Sequence, residues 1–212
     1  WIEVTLVQGT NSSDPYDWIQ SVSITRCGDN VTEVAWSYYH DDPIFPSTTV
    51  KHRRKTTSGW QSEQVLASYS SGNISVDIAG RATPKLVYST YLVWNNPTSN
   101  YIYYVQSIDQ GSSWTSPASV ENTSSSTYPA VKLKSNLDGY VAWVVNSSSV
   151  HCKKITGSQS VTVTSGLEPR LAIDETDSLY LAFTGTATPH IVYANRSVDG
   201  YTWLGNIQIQ ND

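Results

Sequence analysis

At 212 residues and a formal net charge of -5, the chain is long enough to bury one sizeable core and too acidic to offer the concentrated basic surface that a nucleic-acid partner demands. Only 15% of its residues are charged, against about 25% in an average domain, so its surface is neutral and hydroxyl-rich, as on many secreted proteins. No run approaches the roughly 20 apolar residues of a membrane-spanning helix.

The chain opens on an alternating segment, Trp1-Ile2-Glu3-Val4-Thr5-Leu6-Val7, which predicts a strand with one buried face. Having neither a methionine nor a signal peptide here, the sequence reads as a mature or trimmed form. Residues 1–18 are taken as an extra strand and linker. Four units follow, at about 19–68, 69–124, 125–166 and 167–212. They are clearest in the second half, where Pro129-Ala130-Val131-Lys132-Leu133 lies over Pro169-Arg170-Leu171-Ala172-Ile173. That match runs ungapped to Tyr140-Val141-Ala142-Trp143 over Tyr180-Leu181-Ala182-Phe183, a period of 40 residues. Related cores, Val34-Ala35-Trp36 and Leu92-Val93-Trp94, occur earlier. Each unit reads as four strands, a to d; in the third these are predicted at about 129–134, 139–145, 149–154 and 159–164. The basic run Lys51-His52-Arg53-Arg54-Lys55 falls in a predicted strand as a solvated outer face. No segment joins an apolar helical period to caps, so the expectation is all-β. The fold class is a β-propeller-like arrangement of about four four-stranded blades plus one extra N-terminal strand, within a single domain.

One motif is sharp. Ser107-Ile108-Asp109-Gln110-Gly111-Ser112-Ser113-Trp114 is echoed, shortened, by Ser197-Val198-Asp199-Gly200-Tyr201-Thr202-Trp203. The aspartate can accept hydrogen bonds from its own loop, the glycine takes a positive φ, and the tryptophan buries the outer hairpin. Ser107, Asp109, Gly111 and Trp114, with Ser197, Asp199, Gly200 and Trp203, are therefore structural residues. The motif resembles the Asp-box (BNR repeat) of the sialidase-like β-propeller superfamily, and the chain is similar to a non-catalytic member. The resemblance places these turns between strands c and d, on the face away from the usual ligand mouth. In the first unit the turn has decayed to Thr56-Thr57-Ser58-Gly59-Trp60, and in the third to Ile155-Thr156-Gly157.

The mouth face would gather Tyr38, Tyr39, His40, Asp41 and Asp42 from one b–c loop, Trp94 and Asn95 from another, and Tyr128, Glu168 and Arg170 from the starts of later units. Aromatic faces beside amide and carboxylate edges suit sugars. An active sialidase of this resemblance would need three converging arginines, a Tyr/Glu pair and an aspartic acid. Here only Arg81 and Arg170 lie near predicted mouth loops, and an Arg-Ile-Pro motif is absent. The favoured function is non-enzymatic: a glycoprotein module of the cell surface or extracellular space with a structural or adhesive role, whose partners are glycans or other surface proteins. A fragment of a sialidase-type glycoside hydrolase is the alternative.

An unpaired strand edge must be covered or it will pair with something, so residues 1–8 belong to missing blades, lie on an edge of the same chain, or are donated to a neighbouring copy, giving a homo-polymer. Acceptor sequences for N-glycosylation stand at Asn11, Asn30, Asn73, Asn122, Asn146 and Asn195. Cys27 and Cys152 could pair in an oxidising compartment or remain buried thiols. The run Asp174-Glu175-Thr176-Asp177 fits a hairpin turn better than a calcium loop, and the four histidines lack metal-ligand spacing. No cofactor and no metal are expected.

Overall fold

A computed structural model describes residues 17–28, 30–122, 125–187 and 191–209. The expected strand at residues 1–8 and the acceptor Asn11 lie outside the described residues. Within them the protein is all-β, with four antiparallel sheets arranged in chain order. The first contains β1 (Trp18–Arg26), β2 (Thr32–His40), β3 (Ser47–Thr56), the two-residue β4 (Gly59–Trp60) and β5 (Gln64–Tyr69). The second contains β6 (Val76–Ala82), β7 (Tyr88–Asn95), β8 (Ile102–Ser107) and β9 (Ala118–Glu121). β10 (Ser126–Leu133), β11 (Gly139–Val145), β12 (Ser149–Lys154) and β13 (Ser160–Ser165) form the third. β14 (Leu167–Ile173), β15 (Leu179–Thr184), β16 (Val192–Ser197) and β17 (Ile207–Gln208) form the fourth.

The first strands of successive sheets pack on one another, β1 on β6, β6 on β10 and β10 on β14, so each sheet radiates from a shared centre. The repeated small-plus-aromatic segments are the second strands. Trp36, Trp94, Trp143 and Phe183 are all buried, and three cores fill the spaces between neighbouring sheets. The middle core joins Ala79, Tyr91 and Val93 of the second sheet to Val131, Val141 and Trp143 of the third. Burying one such aromatic contributes about 2 to 3 kcal/mol, and the strand alternation that permits it was legible in the sequence.

Two expectations change in the first sheet. The decayed turn Thr56 to Trp60 does not lead straight from the third strand into the last long one: Gly59, at φ +103°, closes a tight hairpin in which β4 pairs the end of β3, and β5 then pairs the start of β3. Among the described residues the additional strand is thus β4. The basic run is not uniformly solvated either. Successive residues of a strand face opposite sides, so His52 is fully buried while Arg53 and Lys55 lie over the Trp60 ring.

Both Ser-x-Asp turns join the third and fourth strands of their sheets, between β8 and β9 and between β16 and β17. Asp109 accepts the amide of Ser113 at 2.9 Å and the Ser107 hydroxyl at 2.8 Å. Asp199 accepts the amides of Tyr201 at 2.8 Å and Thr202 at 2.7 Å, and the Ser197 hydroxyl at 2.9 Å. Gly111 and Gly200 sit at φ +74° and +83°, and each presses on the preceding sheet. A Cβ on Gly111 would collide with Glu33 and His52, and one on Gly200 with the Tyr140 ring. Cations of the preceding sheet complete each contact: Arg54 donates to the carbonyl of Gln110 at 3.3 Å, and Lys134 to that of Val198 at 2.7 Å. These turns lock sheet to sheet.

Candidate functional site

The four first strands enclose a cleft of about 350 Å³ at their N-terminal ends. Its walls come from every sheet: Gln20 to Ser23 of β1, Ser75 to Asp77 at the start of β6, Tyr128 and Pro129 of β10, and Glu168 and Arg170 of β14. Two of these residues have an unusual backbone. Tyr128 and Glu168 take φ values of +52° and +49°, each precedes a proline, and each lies where the pairing register slips, between Thr127 and Ala130 and between Leu167 and Arg170. A non-glycine residue in the left-handed region costs about 1 to 3 kcal/mol, and a bulge at this place turns a side chain toward a site. Tyr128 is 43% exposed, and Glu168 and Arg170 are exposed as well.

Hydrogen bonding separates working groups from structural ones. Asp77 is saturated: one oxygen accepts the Ser23 hydroxyl and the Ile78 amide, the other the Val131 amide at 2.8 Å, so its carboxylate ties three first strands together. Gln20 is committed to the segment ahead of β6 through Gly72, Asn73 and Ile74. Arg170 donates one Nη to the Pro169 carbonyl at 3.0 Å, leaving most of its fork open. Glu168, Tyr128 and the Ser75 hydroxyl make no side-chain hydrogen bond among the described residues.

The residues expected at the mouth therefore divide. Tyr128, Glu168 and Arg170 come together. Tyr38, Tyr39 and His40 end β2, Asp41 and Asp42 follow it, and the five line a separate surface. There the Tyr38 hydroxyl and the His40 ring both bond Asp17 at 2.6 Å and hold its carboxyl below the usual range. Tyr39 packs on Trp18 with ring centroids 4.6 Å apart and donates to Asp41, while Asp42 caps the amides of Ile44 and Phe45. Trp94 and Asn95 are corrections. Trp94 is fully buried in an inter-sheet core with its indole NH on the Tyr69 hydroxyl, and Asn95 is spent on the Ser75 amide and the Asn73 carbonyl. They are consecutive residues of β7 and point to opposite faces, and both faces are covered: an inter-sheet core takes Trp94 and the segment ahead of β6 takes Asn95.

Arg81 is also displaced from its expected place. It lies at the far end of β6, bonds the Leu133 carbonyl at 3.1 Å, pairs with Asp177 at 3.6 Å, and lines a second pocket of about 860 Å³ with Arg26, Asn30, Tyr88 and Gln110. Among the described residues, Arg170 is thus the one guanidinium in the cleft. Gln20, Ser75 and Asp77 were missed by the sequence reading. The signal for them was positional, since they occupy in the first two units the strand starts that Tyr128 and Glu168 occupy in the last two.

No family model matches the sequence, and a search of curated proteins finds no match. Solved structures do match in shape. A protein of unknown function from Dyadobacter fermentans DSM 18053 superposes with a TM-score of 0.62 at 12% identity, over 94% of this chain and 71% of that one. The catalytic domain of the Coprinopsis cinerea GH62 alpha-L-arabinofuranosidase gives 0.57 at 12%, over 93% and 70%. The fold is propeller-like. At such identities the likeness carries no site residue from one chain to the other.

Other expected features can now be located. Asn30, Asn73, Asn122 and Asn146 are exposed. Asn195 is 3% exposed and bonded to Asn206, Gly205 and Arg196, so it is no glycan acceptor in the folded chain. Cys27 and Cys152 are separate buried thiols, and burial raises both, Cys152 to about 12. Asp174 spends its carboxylate on Thr176 and Ser178 within its own turn, and these bonds lower it to about 2.

Proposed function

We propose that the chain is an extracellular, N-glycosylated, propeller-like module that binds glycan in the cleft between its first strands and acts by binding, not by turnover. The observation that carries this reading is the convergence of Tyr128, Glu168 and Arg170 on one concave site where Asp77 and Gln20 are already engaged in hydrogen bonds and Ser75 adds an open hydroxyl. An aromatic face can lie against the CH surface of a sugar while a free carboxylate and an open guanidinium take its hydroxyls. The catalytic-domain neighbour supports a carbohydrate-related role without assigning a reaction. A sialidase-type site would need guanidinia gathered on one carboxylate, and the cleft holds Arg170 alone among the described residues.

The test is calorimetric titration of the full chain with a panel of oligosaccharides, alongside turnover assays on aryl glycosides and a sialoside. Binding that weakens at least tenfold in Arg170→Ala and Tyr128→Ala, with thermal midpoints unchanged and no turnover, is the expected result. Hydrolysis abolished by Arg170→Ala would replace the module with an enzyme.

A second reading, a homo-polymer joined at sheet edges, is favoured by the outermost segment of the fourth sheet. Leu204, Ile207 and Ile209 stand 61 to 73% exposed there, an apolar edge of the kind that accepts a strand.

A further inference from the structure

Resting on the reading of the cleft as a glycan site, we propose that its ligand is an uncharged sugar bearing neighbouring hydroxyls, and that Tyr128 and Glu168 read it from their left-handed backbone positions. Charge comes first. Two carboxylates, Asp77 and Glu168, line the cleft against the single guanidinium of Arg170, which already gives one donor to Pro169. On the same face Asp17 precedes β1, and Asp41 and Asp42 follow β2. The cations collect at the opposite ends of the strands: Arg26 and Arg81 in the wide pocket there, Arg54 and Lys134 on the turns of the next sheet. A carboxylated or sulfated sugar entering the cleft would bring a further anion beside unpaired Glu168, with Arg170 the one guanidinium there, among the described residues, to offset both.

The open valences fit a diol instead. Glu168 can only accept, Arg170 can only donate, and a sugar hydroxyl does both, so adjacent hydroxyls can bridge the two residues while the ring lies on Tyr128. The backbone points the same way. Tyr128 and Glu168 hold equivalent bulge positions in consecutive sheets, both are non-glycine, and both precede proline. Glycine would sit in that conformation without strain, so the side chains are what the strained positions retain.

The experiment titrates the full chain with xylohexaose, cellohexaose and maltohexaose, and in parallel with a hexameric oligogalacturonate and sialyllactose. We expect at least a tenfold preference for one or more neutral probes. Glu168→Gln should weaken that binding about tenfold and narrow the gap to the anionic probes. Glu168→Gly and Tyr128→Gly should raise the thermal midpoint while losing the neutral sugar. Tighter binding of an anionic probe would overturn this inference and leave the glycan-site reading standing. Failure of every probe to bind would overturn both. Neutral-sugar affinity unchanged in the two glycine variants would show that Tyr128 and Glu168 do not read the ligand.

Discussion

The carboxylate of Asp199 receives the amides of Thr202 and Tyr201 and the hydroxyls of Ser197 and Thr202, and these bonds hold it well below the ordinary carboxylate range. Burial pushes Asp109 the other way, yet hydrogen bonds from Ser113, Ser107 and Ser112 outweigh it and its carboxyl is lowered too. Neither side chain faces the cleft, so a perturbed carboxyl here marks a folding device, not an acid catalyst. The sign follows from linkage. A carboxyl lower in the folded than in the unfolded chain adds stability above about pH 4, and that stability is lost as pH falls toward the folded value. Asp199→Ala should therefore cost about 1 kcal/mol at pH 7, the turn being solvent-exposed and its bonds screened, and progressively less as pH falls below about 4. Urea unfolding at a series of pH values checks this, and a penalty that persists undiminished in acid would contradict it.

At the scale of the element, the turn between β8 and β9 is held by a buried network reaching into the first sheet. Gln64 cannot be flipped: its Oε1 accepts the Trp114 indole NH at 3.1 Å and its Nε2 donates to the Ser112 carbonyl at 2.9 Å. His52 Nδ1, 3.0 Å from that same Oε1, must then donate. Its Nε2 faces Glu33 Oε2 at 3.2 Å, and Thr90 donates to Glu33 Oε1 at 2.6 Å. Both Glu33 and His52 are fully buried. Removing one partner of such a pair leaves the other uncompensated, whereas removing both can be nearly neutral. Glu33→Leu should cost about 3 to 5 kcal/mol, and the double variant with His52→Leu should cost less than either single change. Denaturant midpoints of the four proteins decide it; simple additivity would mean that the pair is not coupled.

For the whole molecule, the open question is what meets its exposed apolar flanks. Val22 and Ile24 of the first strand are each 62% exposed, and the last segment adds Leu204, Ile207 and Ile209. Faces of this kind between sheets are elsewhere filled by inter-sheet cores. If copies join through these edges, light scattering after size exclusion should give a particle many times the 23.4 kDa of one chain. Deleting residues 1–8 should return it to single-chain mass with its circular dichroism intact. A full-length particle of single-chain mass would end the polymer reading.

The sequence by itself determined the local chemistry. A small residue beside an aromatic recurs in every second strand because an inter-sheet space needs the same volume each time, and serine, aspartate and glycine recur in two turns because those turns need the same acceptors and the same positive φ. Such requirements act over a few residues, so they leave a pattern in the chain. Only the tertiary structure decided which residues share a cleft. Trp94 and His52 went to cores, and Arg81 to the opposite ends of the strands. Tyr128, Glu168 and Arg170 met Ser75 and Asp77 across three sheets, and Gln20 came from the fourth side of the cleft on β1. The physical reason is the strand's two-residue period: one slip of register, as at Thr127 to Ala130, exchanges inside for outside, and no short stretch of sequence records it.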